Sequence, residues 1–458
     1  MPKVIFYLFV ALFVPLKLGF SFGKILAVLP LPFPLELIEE KLKEAEEGPD
    51  DVDYDREPQG ILDKRISSFD DKKGLFRVPN GLEYKVNFWK KIYAVYSTHQ
   101  YVIHDIESKT IYEVVDVEDI MQRGDLSSGS KIKFVNKRLE EAKRKYQKGS
   151  TRVRAQLGQK DKFRKAIQYS GKYLPMMEDT FAQKGLPLEL TRLPFVESSF
   201  QLQAHSHAGA AGLWQFMRAT ARESSLVMND VVDERRDPIK STEAAAEFLK
   251  LNYETLESWP LAVTAYNHGR MGINRITKRM GTEDLVEIVD NYTSPTFGFA
   301  SKNFYACLLA ALEVERDSEK YFGELKVEPP LEYDEVVLKN YISLGALVNY
   351  TDVSKNELVE LNPALSRKVI KGLKLIPKGF VLRIPKGKQK IFLSQYGKIP
   401  LEKRYARQNR AHYHKVRSGD TLSYLASRYR TTVEKLKQIN NIEDKRYIQV
   451  GQFLVIPR

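Results

Sequence analysis

The carboxyl group of Glu197 is the side chain in this sequence that is best placed to do chemistry. The chain reaches it through the apolar residues 193–196, and the small polar pair Ser198 and Ser199 and then Phe200 follow it. Burial among apolar groups disfavours the charged form of a carboxyl group and raises its pKa toward values suited to proton donation near neutral pH. The sequence therefore predicts that Glu197 is a buried acid catalyst.

Residues 206–217 (SHAGAAGLWQFM) form a second segment, made of small, polar and aromatic residues. Gly209 and Gly212 are expected to let the backbone approach a ligand or a neighbouring helix, because glycine has no Cβ and tolerates positive φ. Trp214 and Phe216 are expected to pack in the core. Together the two segments predict one carboxyl group inside a frame of apolar and small residues.

Three histidines near these segments raise the question of a metal site. His205 and His207 are too close in sequence to form a helical ligand pair, and His268 lies far along the chain. No aspartate or cysteine completes a recognisable ligand spacing with them. The sequence therefore predicts neither a metal site nor a cofactor.

Length, composition and charge indicate several globular domains next to an anionic neighbour. The 458 residues are 43% hydrophobic and 29% charged, which is typical of two to four folded domains. The net charge of +13, from 72 basic and 59 acidic residues, favours an anionic polymer or a membrane surface as a partner. The one cysteine, Cys307, is expected to be a buried small hydrophobic residue without a disulfide partner.

The N-terminus is predicted to direct export. Residues 1–23 combine a short basic start with an apolar core, which is typical of a signal peptide, and export argues against nucleic acid as the partner. An uncleaved anchor with membrane association stays open as an alternative, because residues 25–37 are also mostly apolar. Residues 24–75 are predicted to be an acidic, turn-rich linker.

The next two regions differ in their periodicity. Residues 76–160 are predicted to be an N-terminal accessory region, with a few strands up to about residue 117 and a helical pattern that begins at about residue 131. Residues 161–325 are predicted to be a mostly helical domain. Within it, Ser241 and Thr242 are candidate N-caps for a helix rich in alanine.

The C-terminal part contains an internal repeat of about 45 to 50 residues. Five positions recur at one spacing: Leu344, Leu347, Leu358, Leu361 and Asn362 correspond to Leu422, Leu425, Leu436, Ile439 and Asn440. Each copy predicts a strand, two short helices and a strand. The copies are assigned to residues 333–386 and 412–458, and residues 387–411 are a basic stretch predicted to be a linker, for which a solvated role and a polymer-contacting role both stay open.

Five segments in order resemble the lytic murein transglycosylases of the soluble-transglycosylase-like group (glycoside hydrolase family 23), in the arrangement of the membrane-bound D type with LysM modules. The segments are residues 197–200, 206–217, 233–237, 241–245 and 265–269. The resemblance implies a lysozyme-like α+β catalytic domain over residues 161–325. The predicted fold class is therefore mainly α, with small βααβ LysM modules at the C-terminus.

The resemblance also implies a mechanism that uses one carboxyl group. Glu197 would protonate the glycosidic oxygen between MurNAc and GlcNAc and would then, as a carboxylate, deprotonate the 6-hydroxyl of muramic acid, which gives 1,6-anhydromuramoyl products. The substrate's own N-acetyl group would stabilise the positive centre, in place of the second carboxylate that most glycosidases use.

The same resemblance implies five substrate-binding residues. Ser206 and Gln215 would hydrogen-bond the substrate near the acetamido group and the acid. Tyr266 would approach the reacting sugar, and Asn267 would orient Glu197 or its loop. Met217 is expected to line a sugar subsite, with a packing role as the alternative.

The partners implied are peptidoglycan glycan strands in the periplasm or cell envelope. Residues 413–422 resemble the opening of a LysM module, which implies binding to GlcNAc-containing glycan. The first repeat lacks the Ser-Gly-Asp-Thr of residues 418–421 and has an insertion before residues 382–385. For this repeat, glycan binding and a purely structural spacer role both stay open.

Two other functions remain as alternatives. A second carboxylate from the acidic segment that contains Asp230, Asp233, Glu234 and Asp237 would make the protein a muramidase of the lysozyme type. A wall-binding scaffold without turnover is the other alternative. The reducing end of released muropeptides separates the first from a transglycosylase, and the absence of any release would identify the second.

Overall fold

The structure is a computed structural model that describes residues 74–456, apart from residues 150, 207, 409–411, 441 and 443–447. The predicted signal peptide (1–23), nearly all of the predicted linker (24–75) and His207 lie outside the described residues. No helix in the described part of the chain has both the length and the apolar character that a bilayer crossing requires.

The described chain begins with a helix and a small antiparallel sheet. Its elements are α1 (Glu83–Ala94), β1 (Gln100–Asp105), β2 (Ile111–Asp116), α2 (Glu118–Met121), α3 (Ser128–Tyr146) and β3 (Val153–Leu157). The central strand β1 pairs with β2 and β3. Tyr101 and Ile103 face α3, whereas Val102, on the opposite face of β1, joins the core of the helical body. The sheet is therefore covered on both faces.

Two of these elements differ from the sequence expectation. α1 lies where strands were expected, because Phe88, Trp89 and Tyr93 favour strands locally but here share one buried helix face. β3 lies where a continuous helix was expected, and its pairing along the full length of β1 outweighs its weak local signal. In both cases tertiary contacts override local propensity.

The middle of the chain is a helical body. Its elements are α4 (Lys160–Ser170), α5 (Leu174–Gln183), a 3-10 turn (Leu188–Arg192), α6 (Leu193–Glu197), α7 (Arg218–Glu223), a 3-10 turn (Glu234–Arg236), α8 (Pro238–Leu256), α9 (Trp259–His268), α10 (Arg270–Met280), α11 (Leu285–Asn291), α12 (Phe299–Arg316) and α13 (Ser318–Phe322).

Helix α12 is the centre of this body and is buried around most of its circumference, as expected of a core helix. Cys307 lies in it as a buried free thiol, as the sequence predicted. α1 packs against α12, and the indole Nε1 of Trp89 donates to the Asn303 side chain across the interface (3.2 Å). α1 is therefore part of the helical core, although it lies within residues 76–160.

The start of α8 corrects one sequence expectation. The N-cap is Asp237, whose carboxylate accepts from the backbone N–H groups of Ile239 and Lys240 (2.9 and 3.0 Å). Ser241 and Thr242, the expected caps, lie inside the helix and donate their hydroxyls to carbonyl oxygens four residues earlier. The helix starts earlier than expected because Pro238 suits its first turn and Asp237 is a strong cap.

The C-terminal elements form two copies of the predicted strand–helix–helix–strand unit. They are β4 (Tyr333–Val337), α14 (Leu344–Tyr350), α15 (Lys355–Leu361), α16 (Arg367–Ile370), β5 (Val381–Pro385), α17 (Gln389–Lys398), a 3-10 turn (Leu401–Lys403), β6 (His412–Lys415), α18 (Leu422–Arg428), α19 (Val433–Ile439) and β7 (Phe453–Ile456). In each copy the two strands pair antiparallel. The predicted fold class, mainly α with small βααβ modules at the C-terminus, is confirmed.

One asparagine performs the same structural role in both copies. The Asn362 amide donates to the carbonyl oxygens of Leu358 (2.8 Å) and Arg383 (2.7 Å), and its oxygen accepts from the Arg383 N–H (2.9 Å). Asn440 makes the corresponding bonds with Leu436 and Val455. The residue that recurs in the sequence therefore ties the second helix of each module to its last strand.

The stretch of residues 387–411, expected to be a linker, is packed over much of its described length. In α17, Phe392 and Tyr396 fall on one helix face and are buried against the first repeat. Further on, the Gln408 amide exchanges two hydrogen bonds with the backbone of Leu375 (2.8 Å each). The linker prediction relied on the basic residues and overlooked these apolar contacts.

The first repeat docks on the helical body through residues 228–237, which we call the docking segment. Arg383 of β5 forms a two-pronged, buried ion pair with Asp237 (2.8 and 3.1 Å). Val232 forms a β-bridge with Leu365 and joins the core of the repeat. The contact is therefore both polar and apolar.

The insertion that distinguishes the first repeat contributes to this contact. Ser366, just before α16, donates its N–H to the carbonyl oxygen of Val231 (2.9 Å) and its hydroxyl to that of Asp230 (2.8 Å). The second repeat is shorter in this region, so the insertion has a structural role in docking.

Arg383→Met is predicted to destabilise the docked unit by about 3–5 kcal/mol, because it leaves the buried carboxylate of Asp237 without its cation. The matched control Lys386→Met removes an exposed cation 3.4 Å from Asp334 and should change stability by about 1 kcal/mol or less. Urea denaturation of both variants measures the difference. Equal destabilisation by the two substitutions would contradict the structural role of the Arg383 pair.

Candidate active site

Glu197 is the last residue of the five-residue helix α6, whose other members are all buried. Pro194 lies in the first turn of this helix, which begins at Leu193, and Phe195 stacks on Phe163 in the core (ring centroids 5.0 Å apart). Immediately after Glu197, the Ser198 hydroxyl donates to the carbonyl oxygen of Leu213 (2.8 Å). The backbone on either side of Glu197 is therefore fixed to the core and to the segment 206–217.

The environment of Glu197 favours its neutral form. Its side chain keeps an opening to solvent, yet the surrounding protein desolvates it and raises its pKa to about 8. Among the described residues no cation forms an ion pair with it. A carboxyl group in this environment holds its proton at neutral pH and can donate it to a bound substrate.

The backbone around Glu197 is strained. Ser199 (φ 52°), Phe200 (φ 59°) and Gln215 (φ 48°) all adopt left-handed conformations without being glycine. Such conformations cost roughly 1–3 kcal/mol each and persist where packing over-determines them. Here Phe200 is buried against Phe195 (4.6 Å between ring centroids). The strain lets the chain reverse directly after the carboxyl group.

Ser206 and Gln215 stabilise the loop 204–216 through bonds within it. The Ser206 hydroxyl accepts from the Ala210 N–H (3.0 Å), which leaves its own proton for another acceptor. The Gln215 amide donates to the carbonyl oxygens of Ala204 (3.3 Å) and Gly212 (2.9 Å). Both side chains are partly exposed, so they support the loop and also retain surface that a ligand could contact.

Tyr266 lies near Glu197 and is anchored to the same loop. Its hydroxyl donates to the carbonyl oxygen of Trp214 (2.8 Å). Burial, and then the negative charge of Glu197, hold the pKa of this phenol well above its ordinary value. The second cause requires Glu197 and Tyr266 to be close, so the structure brings these two predicted residues together.

Met217 and Asn267 lie at the edge of the site. Met217 is partly exposed at the N-cap of α7. The Asn267 side chain is exposed and accepts from the Ser301 hydroxyl of α12 (3.0 Å), and Ser301 also meets His268 Nδ1 (3.2 Å). Within the described structure, the Asn267 side chain therefore bonds to Ser301 of α12 rather than to Glu197.

Arg235 is a supporting residue that the sequence analysis did not identify. It is buried, and its Nη1 donates to the carbonyl oxygens of Gly209 (2.6 Å) and Phe216 (3.0 Å). Its Nε and Nη2 donate to the two carboxylate oxygens of Asp233 (2.9 and 2.8 Å). Arg235 therefore ties both ends of the segment 209–216 to the docking segment. In the sequence, the two adjacent arginines at positions 235 and 236 were the only local indication of this supporting role.

Arg192 is a second residue that was missed. It lies directly before α6 with 1% of its side chain exposed, and its Nε donates to Glu315 of α12 (2.9 Å). Its Nη1 also bonds to Glu178 of α5. This buried arrangement links the start of the helix that bears Glu197 to two larger helices. In the sequence, the position of charged Arg192 among apolar residues was the available indication of this structural role.

The acidic segment that could have supplied a second catalytic carboxylate is engaged elsewhere. Asp233 pairs with Arg235, and Asp237 caps α8 and pairs with Arg383. The Glu234 carboxylate accepts from the Val227 N–H (2.7 Å), and the exposed Asp230 lies 3.4 Å from Lys374. These bonds explain the acidic residues structurally.

Comparisons with known proteins place two domains on this chain. Residues 178–288 match the Transglycosylase SLT domain, and residues 414–457 match the LysM domain. The first match contains all six predicted site residues. The predicted resemblance is therefore confirmed: the chain carries a transglycosylase SLT domain followed by a LysM domain.

Two named relatives match this chain over less than two thirds of their own length. Membrane-bound lytic murein transglycosylase D from two strains of Escherichia coli is 27% identical over 296 residues, which covers 62% of this chain and 63% of each relative. The crystal structure of the 70 kDa soluble lytic transglycosylase from Escherichia coli is 20% identical, covers 31% of this chain and 24% of its own, and has a TM-score of 0.26.

Gly212→Ala is predicted to disrupt the site. An added Cβ would lie 1.8 Å from the carbonyl oxygen of Arg235, and the backbone φ of 81° already disfavours a side chain. Gly209→Ala is the matched control, because its φ of 88° is similar but nothing lies within 4 Å of its added Cβ. Thermal unfolding should show a loss several times larger for Gly212→Ala, and equal losses would contradict the proposed close approach.

Glu197→Gln is predicted to stabilise the protein increasingly as the pH rises. Folding raises the pKa of Glu197 from 4.5 to about 8, so the native state of the parent protein loses stability across that window while Gln does not. The slope is about 1.4 kcal/mol per pH unit for full coupling. Melting temperatures measured from pH 5 to pH 8 test this.

The exposed Glu223 provides the control for that experiment. Glu223→Gln should show no pH-dependent gain in melting temperature over the parent protein. If the advantage of Glu197→Gln were constant across the same range, the raised pKa would be contradicted.

Proposed function

We propose that this chain, which carries a transglycosylase SLT domain and a LysM domain, is a peptidoglycan lytic transglycosylase. It would cleave the β-1,4 bond between MurNAc and GlcNAc and leave 1,6-anhydromuramoyl ends. The observation that carries the proposal is the desolvated carboxyl group of Glu197 within the matched domain, which has no ion-pair partner among the described residues and whose pKa is raised to about 8. The printed names of the Escherichia coli relatives agree with this chemistry.

The environment of Glu197 suits both halves of the proposed reaction. As the neutral acid it donates a proton to the glycosidic oxygen, and the bond from that oxygen to the muramoyl C1 breaks. The resulting carboxylate is poorly solvated and unpaired, so it is a strong base. It takes the proton of the 6-hydroxyl as O6 attacks C1, which closes the anhydro ring and restores neutral Glu197. No water is added.

The remaining predicted residues would position the substrate. We assign Ser206 and Gln215, which are both partly exposed, to the acetamido side of the reacting sugar. Tyr266, held by the carbonyl oxygen of Trp214, would contact the same sugar beside Glu197. Met217 and Asn267 would line the outer edge of the groove, where both retain exposed surface.

The muramidase alternative is less well supported. It needs a carboxylate that activates water, and the acidic residues of the docking segment are used to hold Arg235, Arg383 and the start of α8. In the scaffold alternative, the protein would bind glycan strands without cleaving them. It offers no reason for a carboxyl group that folding keeps neutral.

The two repeats would have different roles. The LysM match at residues 414–457 supports binding to GlcNAc-containing glycan, which would raise the local concentration of the catalytic domain on its polymer. The first repeat, docked through Arg383 and Asp237, would be a fixed part of the catalytic unit. We favour the structural role for it over independent glycan binding.

The cell envelope is the location that fits this substrate. The printed name of the Escherichia coli relatives includes "membrane-bound", which supports an envelope location and membrane association for this chain as well. Residues 1–23, outside the described structure, would direct export to the periplasm.

Glu197→Gln is predicted to lower turnover by at least ~10²–10⁴-fold, because one residue supplies both the acid and the base. Purified peptidoglycan is digested, reduced with borohydride and analysed by mass spectrometry, with Glu223→Gln as the charge-matched control that retains activity. The parent protein should release anhydro ends that resist reduction. Reducible ends would establish the muramidase alternative, and binding without release by the parent protein would establish the scaffold.

A further inference from the structure

A short chain of hydrogen bonds holds the side chain of Asn267 near the end of α9. The Ser301 hydroxyl of α12 donates to the Asn267 amide oxygen (3.0 Å), and His268 Nδ1 lies 3.2 Å from the same hydroxyl oxygen. Ser301 is buried, whereas Asn267 is exposed and directly follows Tyr266. We call Asn267, Ser301 and His268 the asparagine relay.

The direction of the bonds in the asparagine relay follows from one proton. A serine hydroxyl carries a single proton, which Ser301 donates to Asn267, so its oxygen can only accept from His268. Burial, and then the charge of Arg275, lower the pKa of His268 below its ordinary value, so the imidazole is neutral at neutral pH. A neutral imidazole has one N–H group, and in this relay Nδ1 carries it.

Packing fixes the ring of His268. The ring meets Phe297 edge to face, with the two centroids 5.1 Å apart. It also lies directly against α10, because a Cβ added to Gly272 would be 2.7 Å from His268 Cδ2. The ring therefore has little freedom to turn its Nδ1 away from Ser301.

The asparagine relay directs the donor end of Asn267 outward. The oxygen and the nitrogen of an amide lie on opposite branches of one carbon, so a bond from buried Ser301 to the oxygen leaves the NH2 group on the exposed side. Among the described residues, this nitrogen has no hydrogen-bond partner. A ligand group that meets the NH2 group must therefore be an acceptor.

We propose that Ser301 and His268 are positioning residues that make the site select N-acetylated GlcNAc, by presenting the Asn267 amide N–H to the acetamido oxygen of that sugar. The proposal rests on the proposed function, because it assumes a peptidoglycan strand in the site. MurNAc and GlcNAc alternate in such a strand, so the sugar beside the reacting muramoyl residue is GlcNAc. Its acetamido oxygen is an acceptor, whereas de-N-acetylated GlcNAc carries an ammonium group, which only donates.

Cleavage of strands that differ only at GlcNAc tests the proposal. Soluble glycan strands freed of their peptides are used as prepared, or after enzymatic de-N-acetylation of GlcNAc that leaves MurNAc intact. The measured quantity is kcat/KM for the release of anhydro ends. The parent protein should prefer the acetylated strands by about tenfold, because two facing donors leave each other without an acceptor.

Ser301→Ala is the first variant to compare. It frees the Asn267 amide to rotate, so the preference for acetylated strands should fall to about twofold. The LysM module is the same in every variant, so a change in this ratio does not come from it. A Ser301→Ala protein that keeps the parent preference would overturn the proposal.

Asn267→Asp tests the contact itself. Ser301 can donate to one carboxylate oxygen, and the other oxygen would then accept from an ammonium group, so the preference should reverse. Retention of the parent preference by Asn267→Asp would overturn the proposal. A preference of the parent protein for de-N-acetylated strands would also overturn it, because Asn267 would then present its oxygen.

Two substitutions of His268 separate hydrogen bonding from packing. His268→Asn places an amide nitrogen near the Nδ1 position and should retain most of the preference. His268→Gln places its amide near the Nε2 position instead and should lose the preference as Ser301→Ala does. Equal preferences in these two variants would overturn the assignment of His268 as a positioning residue.

Gly272→Ala perturbs the asparagine relay without changing any of its three members. The added Cβ displaces the His268 ring, so the preference should fall severalfold. Gly298→Ala is the matched control beside α12, because nothing lies within 4 Å of its added Cβ, and it should keep the parent ratio. Thermal unfolding checks that both variants are folded. Equal losses of preference in the two would contradict the relay.

Failure of the proposed function gives a different result. Reducible ends from acetylated strands would reject the transglycosylase activity, while the ratio between the two strands still tests the relay. If the parent protein binds strands without release, the same ratios are taken from dissociation constants. Release of anhydro ends from both strands with equal kcat/KM would retain the activity and overturn the proposed selection.

Discussion

The burial of one carboxyl group, for which the described part of the chain offers no cationic partner, is the constraint on which the site depends. Glu197 can remain neutral and desolvated only if the surrounding chain excludes water and charge from all sides but one. The short helix α6 achieves this because its other residues are core residues. Arg192, which lies directly before α6, fixes the position of this helix through a buried ion pair with Glu315 of α12. The strained backbone after Glu197 is held by the same packing.

A chain of polar contacts extends from this carboxyl group to the C-terminal part of the molecule. Ser198 and Tyr266 attach Glu197 and its neighbours to the loop 204–216, and Arg235 attaches that loop to the docking segment. Asp237 then attaches the docking segment to the first repeat through Arg383. A module that resembles a glycan-binding unit in sequence therefore supports the loop 204–216, and its insertion contacts the helical body at the docking segment.

The buried ionisable groups of the described residues differ in whether they have an ion-pair partner. Arg192, Arg235 and Arg383 each meet carboxylates at hydrogen-bonding distance, so their charges are structural and satisfied. Among the described residues, Glu197 differs from these arginines because its buried carboxyl group has no ion-pair partner. A buried titratable group without a charge partner is costly to retain, and such groups are concentrated at functional sites.

The sequence by itself determined the features that depend on local spacing. The apolar approach to Glu197, the order of the family segments, the helical character of the centre and the recurrence of Asn362 at Asn440 all follow from residues close together in the chain.

Tertiary structure decided the remaining features of the fold and the site. It placed α1 in the core, made β3 a strand, selected Asp237 over Ser241 as the cap, and packed Phe392 against the first repeat. It also paired Arg192 with Glu315 and Asp237 with Arg383, which lie 123 and 146 residues apart in sequence. No local pattern encodes such partners, because their free energy arises only when distant segments meet and exclude water.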